Sequence, residues 1–240
     1  MKKRKRLGGE CVYCGEPATS LDHVPPRNLF PPPQPTALVT VRSCNGCNQG
    51  ASRDDEYFRL IVALRHDVDH PDAKLARDTA LRGLARPEAS RLRASFLQRT
   101  EFFDVVTPAG LHVGRSGSYE FDVDRLHRVA RRITLGLFYR EMGRRLPDGY
   151  KASVWLPSAI DTSASPLDSL HSIRSVATTL SASGPPKFIG RRVLSYWWLP
   201  IANGDPNCTA WLLIFYQRVM FVAATTPQSG LPAAGRSAVE

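Results

Sequence analysis

Two short stretches decide the fold: "CVYCGEPATSLDHVPP", Cys11 to Pro26, and "SCNGCN", Ser43 to Asn48. Each carries two cysteines separated by two residues: Cys11 and Cys14 in the first, Cys44 and Cys47 in the second. A C-x2-C pair lets one tight turn present two sulfurs to a single ion, and the glycines of "YCGE" and "CNGC" give the backbone the freedom to make that turn. Two such pairs in a reducing compartment predict a four-thiolate zinc site. A redox dithiol or two disulfides are the competing readings. The run between the pairs is rich in turn formers and too poor in apolar residues for a core of its own, so the metal is expected to supply its rigidity.

Asp22 and His23 sit side by side inside that stapled segment, and Asn48 follows the last cysteine. A carboxylate and an amide oxygen are hard-cation ligands, and a neutral imidazole can take a proton from water near neutral pH. The bland alternatives are a turn-capping aspartate and an asparagine at a helix start. "CVYC", "LDHVPP" and "SCNGCN", in this order and spacing, resemble the HNH endonucleases, the ββα-metal or His-Me finger family, in its zinc-stapled branch. The resemblance covers residues 10 to about 60.

That resemblance implies a zinc-bound ββα, treble-clef-like module with Cys11, Cys14, Cys44 and Cys47 on a structural zinc. It implies His23 as general base, Asp22 and Asn48 as ligands of a catalytic Mg2+ or Mn2+, and hydrolysis of DNA phosphodiester bonds, with RNA also open. The chain departs from the family where a middle asparagine is expected: Ala37 stands near that place, with Asn28 or Thr40 as substitutes. Arg42 and Arg53 flank the second cysteine pair and are candidate phosphate contacts. Two other functions fit a degenerate module: a non-catalytic zinc ribbon that binds nucleic acid, and a protein-interaction module.

Working outward, residues 1–9 form a basic tail, "MKKRKR" followed by "LGGE" in place of the apolar run of a secretory signal. After the module (10–60), a domain over 61–226 is expected to mix helices and antiparallel sheet, followed by a patternless tail over 227–240. The overall class is α+β. "DDEYFRLIVALRH" begins a helix with acids at its positive end, and two more helices are expected at 72–85 and 87–99. "EFFDVV", "LHVG" and "SYEFDV" alternate as short strands. Residues 123–143 give the clearest helix, with Val123, Leu126, Ala130, Ile133 and Leu137 on one stripe and Arg125, Arg128 and Arg132 on another, a stripe read as solvated or as a phosphate track. An amphipathic segment lies near 166–179. "RRVLSYWWLPIA", "CTAWLLIFY" and "VMFVAATT" read as hairpins or a meander, with Trp197, Trp198 and Trp211 as core.

Lys and Arg number 32 against 22 Asp and Glu, a net charge of +10, which suits a polyanion partner. Among the blocks 1–60, 61–120, 121–150 and 151–240, residues 121–150 carry the most net positive charge per residue, with seven arginines against four acids. No run is long and apolar enough to span a bilayer, and a cytoplasmic protein is expected. "RHDVDHPD", with His66, Asp67, Asp69, His70 and Asp72, resembles a metal cluster but reads better as an exposed helix end at Pro71. Cys208 falls in an apolar strand and reads as a plain buried residue.

Overall fold

A computed structural model describes residues 8–36, 38–65, 68–157, 167–201 and 204–229. Ala37, His66 and Asp67 lie outside the described residues, as do most of the basic N-terminal tail and residues 230–240. The chain is mixed α/β with antiparallel sheets.

The stretch between the cysteine pairs is more regular than its composition suggests. Ser20–Val24 forms strand β1 and Val39–Ser43 forms β2. They pair antiparallel with Asp22 opposite Val41 and His23 opposite Thr40. Successive strand residues point to opposite faces. Asp22 and Val24 therefore face inward with Val41 and Ser43, while Leu21, His23, Thr40 and Arg42 face outward. A short helix α1, Asn45–Gln49, follows at once, and α2 runs over Ser52–Leu64.

Helices α3 (Pro71–Leu84) and α4 (Ser90–Gln98) match the two helical patterns expected there. The three alternating runs condense into two strands, β3 (Thr100–Val106) and β4 (His112–Tyr119), because the "HVG" of the second run and the "SY" that opens the third belong to one continuous strand. The clearest helical pattern is α5, Val123–Met142. Asp122 caps its start by accepting from the Arg125 N–H, and Gly143 closes its end at φ 68°, a left-handed conformation that glycine adopts without steric cost.

Strand β5 (Tyr150–Trp155) precedes helix α6 (Leu167–Ala182) and strands β6 (Lys187–Ile189), β7 (Leu194–Pro200), β8 (Thr209–Phe215) and β9 (Val219–Pro227). The expected meander is β7-β8-β9, and β5 adds to its far edge to give the order β5-β9-β8-β7-β6. Period-two alternation sorts its residues. Tyr196, Trp211, Leu213 and Phe215 pack towards α2 and α5, and Leu212 and Val222 pack under Leu180 of α6. Trp198 stacks on Trp211 with ring centroids 5.7 Å apart.

One apolar cluster joins Val12, Val24, Phe30 and Val41 of the stapled segment to Phe58, Leu137, Trp211 and Phe221. The inner face of the hairpin is thus roofed by α5. Gly136 allows the approach, since a Cβ there would stand 2.5 Å from a Val24 methyl.

Candidate functional site

The four cysteines converge. Their sulfurs all lie within 4.8 Å of one another, and no other group of three or more potential ligands does so among the described residues. Local hydrogen bonds set each pair. The Cys11 N–H donates to Glu16 and the Gly15 N–H to Cys11, which winds the first turn, with Gly15 at φ 79°. Cys44 caps α1, its sulfur accepting from the Cys47 N–H at 3.4 Å. Val12 and Thr19 donate to the carbonyls of Arg42 and Ser43, which stitches the first turn to the end of β2.

Geometry and chemistry fit a tetrahedral ion. The Cys14 and Cys44 sulfurs are 3.7 Å apart, and thiolates about 2.3 Å from a zinc stand roughly 3.8 Å from each other. Burial opposes ionisation of Cys11, but hydrogen bonds from the backbone at Cys44, Tyr13 and Cys14 outweigh it and bring the thiol down to about 7. Burial and the neighbouring thiols push Cys47 the other way. Without a cation the four sulfurs cannot all be charged at once, so loading an ion drives off protons. The cluster can hold a metal such as zinc.

His23, half-buried, shares the outward face with exposed Thr40 and Arg42. Thr40, one of the two substitutes for the absent middle asparagine, is His23's direct cross-strand partner. The other, Asn28, has its side-chain oxygen buried with no hydrogen-bond partner. Arg42 packs back over Gly9, where a Cβ would meet its guanidinium at 2.6 Å. Asn48 latches α1 to β1, its amide donating to Ser20 Oγ at 3.2 Å and to the Leu21 carbonyl at 3.0 Å.

Asp22 is placed elsewhere. Strand parity turns it inward, where the Tyr13 hydroxyl donates to Oδ2 at 2.9 Å and Arg132 Nε lies 3.2 Å from the same oxygen. The Arg132 guanidinium also donates to both oxygens of Asp55, at 2.5 and 2.6 Å. Asp22 and His23 are sequence neighbours on opposite faces, and the guanidinium stands beside Asp22 where a cation would bring its charge. These donors do not fit a resident divalent ion in this arrangement. Asp22's acceptor is shared between Arg132 and Tyr13, and Asn48 turns its amide nitrogen towards β1.

Tyr13, Arg132 and Asp55 are the participants that sequence reading missed. The arginine stripe of α5 meets the acids at the start of α2, with Arg132 buried, Arg125 half-buried and only Arg128 exposed, so its charges are engaged by carboxylates and do not form an open phosphate track. Arg125 and Arg128 bind Asp54 at 2.7 and 2.8 Å, and Arg125 also lies over the Tyr57 ring. Burial works against the Asp54 carboxylate, but Arg128 and Arg125 hold it below its ordinary value. Asp55 goes the other way. Burial, helped by Asp22 and Asp54, outweighs Arg132 and raises it to about 6. Two carboxylates on one buried guanidinium leave an unbalanced negative charge, which a proton relieves.

A pH dependence follows. Asp55 binds its proton more tightly folded than unfolded, so its contribution is complete below about pH 4 and is lost as the pH rises through about 6. Asp55→Asn is expected to remove that slope. Thermal melts of the two proteins between pH 4 and 7 check it: the difference in melting temperature should move in the variant's favour as the pH rises, and a constant difference would count against the charge imbalance.

Within "RHDVDHPD", His70 and Asp72 form a buried joint where an exposed helix end is expected. His70 caps α3 by accepting from the Asp72 N–H, its other ring nitrogen meets the Arg191 carbonyl at 2.9 Å, and Arg191 pairs with Asp72. Asp69 is exposed and pairs with Lys74. Arg53 does not join Arg42. It lines a separate cleft beside α2.

No helix among the described residues is long and apolar enough to cross a membrane. No protein-family model matches the chain, and no match was found among curated proteins or solved structures.

Proposed function

We propose that the chain is an endonuclease of the HNH type that engages DNA on the outward face of the cysteine-stapled hairpin and hydrolyses a phosphodiester there. The observation that carries this reading is His23 and Arg42 on one solvent face, on adjacent strands whose ends are pinned by the four-cysteine cluster and by the Asn48 latch. His23 would accept a proton from the attacking water, and Arg42 would neutralise the phosphate as charge builds on its oxygens.

The resemblance attaches Mg2+ or Mn2+ to this chemistry, with Asp22 and Asn48 as donors. Both are engaged in other contacts, and Asp22 acts as the inward strut of the strand that presents His23.

Supercoiled plasmid incubated with the zinc-loaded protein, with and without Mg2+ or Mn2+, tests the reading. Nicking is expected, and His23→Ala should lose about 100-fold or more of it, the usual scale for a general base. Nicking that survives in His23→Ala would remove the histidine from the chemistry. A second reading, nucleic-acid binding without cleavage, is favoured by the commitment of Asp22 to Arg132. Its signature is a gel shift with no nicking under any divalent ion, weakened by Arg42→Ala.

A further inference from the structure

Away from the hairpin, a cleft of about 860 Å³ opens between α2, α3 and the turn that leads into α4. Five arginines line it: Arg53 and Arg59 from α2, Arg86 from the turn, Arg91 from the start of α4, and Arg125 from α5. Only two carboxylates, Glu56 and Glu88, share the lining, and Leu60 and Leu84 give it an apolar floor. Arg125 is already paired with Asp54. Arg53, Arg86 and Arg91 form no ion pair among the described residues, and all three are exposed at the rim.

Arg59 is the most telling member. Its side chain is only 13% exposed and one guanidinium nitrogen lies 3.7 Å from Glu56, too long for a close pair. Its Nε is buried with no hydrogen-bond partner. An unpaired N–H on a desolvated cation is costly to leave unmet. A concave site lined by one sign of charge focuses potential on an incoming anion, and guanidinium groups match phosphate oxygens in pairs. The volume falls in the range of small-ligand sites, and an apolar floor beneath arginines suits a sugar and base attached to the phosphate.

We propose that this cleft binds the phosphate group of a nucleotide, either free or carried in a strand, with Arg59 at the base and Arg53, Arg86 and Arg91 at the rim. The site is separate from the His23 face and stands whether or not that face cuts DNA.

Calorimetric titration of the full chain with dAMP, with a short single-stranded deoxyoligonucleotide and with inorganic phosphate tests it. Arg86→Ala with Arg91→Ala removes two rim charges that hold no partner in the fold, and Arg115→Ala with Arg218→Ala removes the same charge from exposed positions outside the cleft. Wild type is expected to bind dAMP or the oligonucleotide, and the cleft pair to weaken that binding roughly tenfold or more, the scale of one lost charge-assisted contact. The control pair should leave it nearly unchanged. Tighter binding of the oligonucleotide than of dAMP, with the same dependence on the cleft, assigns the site to a strand, and the reverse order assigns it to a free nucleotide. The proposal is overturned if neither nucleotide ligand binds, if inorganic phosphate alone does, or if the control pair weakens binding as much as the cleft pair. Plasmid nicking is scored separately, so loss of the nuclease reading leaves this result readable.

Discussion

Replacing Cys11 with serine, or stripping the metal with a strong chelator, is expected to unfold the segment from residue 10 to the start of α2 and to destabilise the whole chain. A structural zinc contributes about 10–16 kcal/mol in small metal modules, while an entire domain is stable by only about 5–15 kcal/mol. The stapled segment has little to fall back on. Its inner face contributes Val12, Val24 and Val41 to the shared core, but these side chains are held in place by strands whose ends the cysteines fix. Cys11 is fully buried and Cys14 is exposed, so a chelator should reach the ion from the Cys14 side, and Cys14→Ser should be the milder change. Zinc release followed with a chromophoric chelator, alongside far-ultraviolet circular dichroism, gives the readout. A protein that keeps its melting temperature after the metal is gone would sink the structural role of the cluster.

The second large effect belongs to Arg132. Arg132→Met deletes the only guanidinium that touches both Asp22 and Asp55 among the described residues. Two carboxylates are then left facing each other under α5. Breaking a buried ion pair by removing one partner costs about 3–5 kcal/mol, more than the pair contributes over an apolar replacement, because the stranded charge remains. The variant should therefore lose several kcal/mol in urea denaturation, and adding Asp22→Asn and Asp55→Asn to it should recover much of the loss. Arg132→Lys keeps a charge but not the planar fork that spans both acids, and should fall between. A loss below about 1 kcal/mol for Arg132→Met would show the network to be hydrated and weak.

Much of this architecture was legible in the sequence because it is written in local signals. The stripe from Leu126 to Leu137, the Asp122 cap and Gly143 delimit α5, and the alternation in "TAWLLIF" marks a strand with one face under α5 and the other under α6. The cysteine cluster was legible because spacing alone constrains it. The use of Asp22 was not. Reading "LDHV" as a turn-rich loop keeps Asp22 and His23 together, whereas a strand separates them, and only pairing with β2 makes it a strand. Arg132 was hidden for a different reason. A stripe of arginines looks solvated until the acids it meets are known, and those acids lie on another helix. The Arg59 cleft likewise depends on how α2, α3 and the turn before α4 come together, which no single periodicity records.

The ties between α2 and α5 also bear on how the chain is made. Arg132 lies 77 residues beyond Asp55, so the hairpin and its four cysteines emerge from the ribosome well before the helix that roofs them. The nascent N-terminal segment can bring its four cysteines together at that stage, but Asp22 and Asp55 must stay hydrated until α5 is synthesised. A fragment ending before Val123 therefore has its cysteine cluster complete but its inner face wet, and burial of that face waits for the second half of translation.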